Sequence, residues 1–120
     1  MTAELVSKAF ALRDCAHYAH WATSSGYHHE VLGEVYSEVV KFVDRLMEAY
    51  IGNFDEVLKV KTEGQSLSDD KQVLKCLQSD VAWIAKNRNK IASDLDALEA
   101  ILDEMMEFYL SSITKLKRFK

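Results

Sequence analysis

The sequence predicts an all-α fold: one domain over residues 1–120, a four-helix bundle of two helical hairpins joined by one long crossover. Three observations predict it. Proline is absent and glycine occurs four times in 120 residues, which leaves few places to break a helix. Apolar residues recur at three- and four-residue spacing through four stretches, the period of a helix with one buried face. Two of the three connections are so short that the chain must turn back on itself, and the third is long. Hydrophobic residues make up 48% of the chain, enough for one core and too many for a disordered segment.

The first helix is expected over residues 3–21, with Thr2 as N-cap and Glu4 in the first turn, near the positive end of the helix dipole. Leu5, Val6, Ala9, Leu12, Cys15, Ala16 and Ala19 trace its apolar stripe. Thr23–Gly26 reads TSSG, a turn whose hydroxyls compete with helix hydrogen bonding. The second helix, over 27–51, therefore runs antiparallel to the first. Its apolar pairs run from Val31/Leu32 through Val39/Val40 to Tyr50/Ile51. That stripe is wider than one buried face needs, so it points to packing against the bundle and against a partner. Gly52-Asn53 is expected to end it.

Residues 53–66 form the long connection. Fully extended they reach ~46 Å, against ~38 Å for a bundle built on the second helix. The segment can thus return to the other end, which permits the connectivity of a ferritin-like bundle. A third helix over 69–88 follows a cap at Ser66 or Ser68 and turns Val73, Leu74, Leu77, Val81 and Ile84 inward. Ser93 with Asp96 resembles a capping box and opens a fourth helix over 94–117, whose stripe runs from Leu95 through Met105/Met106 to Leu116.

Fifteen basic and nineteen acidic residues give a net charge of −4, which excludes a basic nucleic-acid-binding domain as a whole. Four bases, Lys115, Lys117, Arg118 and Lys120, end the chain. They suit the negative end of a helix dipole, and in an oligomer several such tails would add avidity for DNA. Cys15 and Cys76 fall at apolar positions and read as small core residues in a reducing compartment. No membrane-spanning run or signal peptide is visible, so a cytoplasmic location is the default expectation and no membrane partner is implied.

All four histidines lie within residues 17–29. His20 ends the first helix and His29 starts the second, so the hairpin turn brings them together. Asp44 and Glu48 stand four apart, on one face of the second helix. Imidazoles and carboxylates are ligands of iron, manganese and zinc. Yet fifteen helical residues separate His29 from Asp44 by ~22 Å, whereas a metal holds its ligands at ~2 Å. If two copies pack their second helices antiparallel about a two-fold axis, the histidine end of each meets the carboxylates of the other, and both matches are made at once. His17, one turn before His20, is expected to be solvated. Glu34 and Glu38 are expected on a solvated face, and Trp21 in packing.

The pattern His20-Trp21, His29, Asp44-x-x-x-Glu48 resembles Dps, the ferritin-like DNA-binding proteins of starved cells. The likeness runs from His29 through Asp44 to Glu48 without a gap. It implies a ferritin-like fold and an inter-subunit iron site, with His20 and His29 from one subunit and Asp44 and Glu48 from its two-fold mate. It also selects His29 over His28 and implies ferroxidase activity, with iron as the metal and zinc or manganese as alternatives. A closer resemblance is to small Dps-like proteins encoded by tailed phages. It is carried by His20-Trp21-Ala22-Thr23, by His29 with Leu32-Gly33 and Tyr36, by Val43-Asp44 through Gly52, and by Asp103-Glu104 and Tyr109-Leu110. For a phage protein the compartment would be the host cytoplasm. The chain departs from Dps in its first seven residues, which hold one acid and no base, and in a crossover without a clear short helix. The expected assembly is a two-fold homodimer, with a larger oligomer as the extension. The other reading is a non-catalytic helical dimer of phage type that binds a host protein or DNA.

Overall fold

The computed structural model describes residues 1–62 and 68–120. Four helices carry the fold: α1 (Thr2–Ala22), α2 (Gly26–Phe54), α3 (Asp70–Ile91) and α4 (Asp96–Arg118). No strand occurs among the described residues. The molecule is a four-helix bundle, 45 × 26 × 20 Å. Its long axis matches α2, whose 29 residues span ~43 Å. α1 packs on α2 and α3, and α4 packs on the same two.

Hydrogen bonds fix which ends meet. The Thr23 hydroxyl at the end of α1 donates to Asp70 at the start of α3 over 2.8 Å. The Thr2 hydroxyl at the start of α1 donates to the Ile91 carbonyl at the end of α3. Nε2 of His28 at the start of α2 lies 2.5 Å from the Phe119 carbonyl just past α4. Each packed pair is therefore antiparallel, and α2 and α3 begin at the same end of the bundle. Residues 55–62 have no regular structure. Val60 packs on the core, and Lys59 and Lys61 lie beside Ala3, Ser7 and Ala11 of α1.

The core follows the stripes. Leu5, Leu12, Leu32, Leu46, Leu77, Ile84, Leu98, Leu102 and Met105 are fully buried, each contributing ~1.5–3 kcal/mol of apolar transfer. Among the described residues no helix is long and apolar enough to cross a membrane.

The helix ends depart from expectation for identifiable reasons. Thr2 is not a cap; it sits inside α1, 3% exposed, with its hydroxyl on a carbonyl that α3 cannot satisfy internally. α2 does not stop at Gly52-Asn53. The Tyr50 and Phe54 rings meet one turn apart, tilted by 43° with centroids at 4.6 Å, and the helix ends at Asp55, left-handed at φ 53°, a conformation aspartate tolerates. Asp69 caps α3 by accepting from the Gln72 amide at 2.9 Å; Ser66, the other expected cap, lies outside the described residues with Gly64, and Ser68 is buried. The capping box at Ser93 is not formed. Ser93 is left-handed at φ 52°, and its amide and that of Asp94 bond back to Lys90 and Asn89. That is a Schellman ending of α3, so Ser93 cannot also cap α4, whose N-cap is Leu95 without a side-chain bond.

Candidate functional site

The α1–α2 hairpin gathers the histidines. Ser25 caps α2 by accepting from the His28 amide at 3.1 Å, and this tight entry sets the first turn of α2 beside the last turn of α1. The rings of His20 and His29 stack, with centroids 3.7 Å apart and planes 17° from parallel. Each is pinned by the other's backbone. Nδ1 of His20 lies 2.6 Å from the His29 carbonyl, and Nδ1 of His29 lies 2.7 Å from the His20 carbonyl. A carbonyl only accepts, so each Nδ1 carries the hydrogen and donates. In the neutral rings both Nε2 atoms then keep their lone pairs, the tautomer that binds a metal through Nε2 with Nδ1–H held by a carbonyl.

A wall of rings closes one side. His17 stacks on Tyr36 at 4.1 Å and 8°, and Tyr36 presents edge-on to His20 at 5.4 Å. His17 is thus half-buried against an aromatic ring, not solvated as expected. Trp21 corrects a second expectation: it is 65% exposed, resting on His17 at 4.4 Å, because its position at the end of α1 lies beyond the core. His28 turns inward. Its Nδ1 faces Asp70 at 2.5 Å and its Nε2 faces the Phe119 carbonyl, so neither nitrogen is open to a ligand.

Asp44 and Glu48 are both exposed, one turn apart on α2, at ~22 and ~28 Å along the helix from His29. Among the described residues neither joins a hydrogen bond or ion pair. Val40, Met47 and Ile51, half-buried, share their side of α2. Glu34 and Glu38 are engaged elsewhere, with Lys115 at 3.6 Å and Lys41 at 2.9 Å. One chain brings together His20 and His29 but not the carboxylates, and no group of three or more histidine, cysteine, aspartate or glutamate residues among the described ones is placed to hold a metal. What one chain supplies at the hairpin is two imidazoles, the donor type that borderline transition ions take.

A second polar group sits inside the bundle and was not anticipated. Asp80 of α3 is 6% exposed; burial raises its carboxyl from 3.8 to about 6, while Lys8 and the Cys76 thiol pull it back down. The Cys76 thiol donates to Asp80 at 3.7 Å and is pushed up to about 12, first by burial and then by the Asp80 charge. Cys15 lies against Ser68 and is raised chiefly by burial. The Tyr109 hydroxyl, buried near Asp80, is raised for the same reason. The signal was in the spacing: Asp80 falls on the stripe Val73, Leu77, Ile84, where an acid is out of place.

A profile of a protein family of unknown function, DUF5856, matches residues 20–116. The chain belongs to the DUF5856 family. The DUF5856 match opens on His20 and takes in His29, Asp44, Glu48 and Asp80, together with α2, α3 and almost all of α4. No curated protein and no solved structure matches the chain.

Proposed function

We propose that this protein is a Dps-like member of the ferritin superfamily that binds and oxidises Fe²⁺ between two copies of itself. The observation that carries the reading is the reciprocal pinning of His20 and His29, which orients two lone pairs before any ion arrives. The shared end of α2 and α3 supports a ferritin-like crossover, since the segment between them must then travel the length of the bundle. In the dimer, α2 packs antiparallel on its mate, and Val40, Met47 and Ile51 supply the apolar contact. His20 and His29 of one copy would meet Asp44 and Glu48 of the other, and Glu48 is the candidate to bridge two ions. Two Fe²⁺ each give one electron to hydrogen peroxide, which takes up two protons and leaves as two waters. Manganese or zinc would fit the same donors without that electron transfer. The cytoplasm, of a host in the case of a phage protein, would supply Fe²⁺.

The test is anaerobic titration of the protein with Fe²⁺, followed by peroxide. Wild type is expected to bind in proportion to its sites, and His20→Ala and Asp44→Ala to lose affinity by about 10–100-fold or more. Equal oxidation in all three proteins removes the proposal. A second reading is a non-catalytic dimer that engages a host protein or, through the basic tail of Lys115, Lys117, Arg118 and Lys120, DNA. It is favoured by the same His20 and His29 bonds in another capacity, because they brace the hairpin without any ion. Purification without chelator to a metal-free dimer that draws one host protein in equal amount selects it.

A further inference from the structure

The ring of His20 lies over the backbone of α2 at Gly33. A Cβ built there would come 3.3 Å from Cε1 and 3.4 Å from Nδ1 of His20, with the Tyr36 ring 4.0 Å away. Those are tight contacts, and neighbours on several sides limit how the ring can give. His29 stacks on one side at 3.7 Å, Tyr36 stands edge-on at 5.4 Å, and Nδ1 is pinned at 2.6 Å. Gly33 stands one turn after His29, inside α2, where glycine weakens a helix relative to alanine. Its backbone is ordinary helix and its φ is not positive, so turn geometry gives no reason for glycine there. Gly52 in the same helix meets nothing within 4 Å.

From this geometry we infer that Gly33 is the positioning residue of the histidine pair: its missing side chain is the seat of the His20 ring, and Tyr36, held from behind by His17, is the wall. With the seat open, His20 reaches the His29 carbonyl and holds the Nδ1–H tautomer. With a methyl group there the ring is pushed out of its seat by a few tenths of an ångström, which lengthens and misaligns the bond to the His29 carbonyl and weakens the hold on the Nδ1–H tautomer. The role of the pair toward a metal rests on the proposed function; the seat itself does not.

The test reads the tautomers directly, by ¹⁵N chemical shifts of the histidine rings in metal-free protein, in wild type, Gly33→Ala and Gly52→Ala. Wild type is expected to show both His20 and His29 as Nδ1–H. Gly33→Ala is expected to raise the share of Nε2–H at His20, with circular dichroism unchanged, while Gly52→Ala leaves both rings as they were. A Co²⁺ titration then adds the functional arm, with affinity lowered at least tenfold in Gly33→Ala alone. An Nε2–H ring at His20 or His29 in wild type overturns the inference, and so does an unchanged His20 in Gly33→Ala. If the tautomers behave as stated but Co²⁺ does not bind wild type, the seat stands and the metal reading falls.

Discussion

Asp80 takes a place on the buried face of α3 that Leu77 and Ile84 fill on either side. A carboxylate there loses its water, and neither the thiol of Cys76 nor the more distant Lys8 restores it, so its pKa rises from 3.8 to about 6. The unfolded chain, with the ordinary value, gives up its proton earlier as pH rises. Between about pH 4 and 6 the folded state therefore binds more protons, and this group's stability contribution falls as pH climbs through that window. Above pH 6 the cost is complete, about 3 kcal/mol for a shift of this size. Asp80→Asn removes the charge and keeps an acceptor for Cys76. It is expected to stabilise the protein by up to about 3 kcal/mol at pH 7.5, with the gain shrinking toward nothing at pH 4, read by urea unfolding at both ends. A variant less stable than wild type at pH 7.5 would mean that the ionised form has a partner in the fold. The position of Asp80 could be read from the spacing alone. Its surroundings could not, because Cys15, Cys76 and Tyr109 come from three helices whose relative rotation no single stripe reveals.

At the scale of the helices, periodicity and capping behave differently. The stripes of α1 and α4 could be read in the sequence because burial imposes a period of 3.6 on them whatever their partners. The ends could not, because two of the polar residues at those ends serve tertiary contacts and a third closes the preceding helix. Thr2 satisfies a carbonyl of α3, Ser93 belongs to the ending of α3, and Asp70 gathers Thr23 and His28. The last joins all four helices: through Asp70, His28 and the Phe119 carbonyl, the end of α1 and the starts of α2 and α3 are fastened to the end of α4. Asp70→Ala leaves the mostly buried His28 ring without one acceptor, and is expected to cost about 2 kcal/mol in urea unfolding. Replacing a surface acid such as Asp96 should cost a few tenths. Equal effects at the two sites would show the tie to be decorative.

For the whole molecule the question is how many chains make a site. The histidine pair could be read from the turn length, and the structure brings it together; the carboxylates remain a helix away, and a single chain says nothing about what lies opposite them. The two-fold proposal has a consequence that a mixing experiment can reach. In a dimer of one His20→Ala chain and one Asp44→Ala chain, one of the two sites takes both lesions. The other takes its histidines from the Asp44→Ala chain and its carboxylates from the His20→Ala chain, and is whole. Each variant alone has no intact site. Unfolding and refolding the two together at equal concentration makes half the dimers mixed, so Fe²⁺ oxidation is expected to return to about a quarter of the wild-type rate. Val40→Asp in both chains places a charge in the apolar contact beside Asp44. It should give monomers by solution mass, with helical content intact, and abolish that recovery. A mixture as inactive as its components, at a mass that proves dimers formed, would mean that histidines and carboxylates do not meet across the two-fold axis.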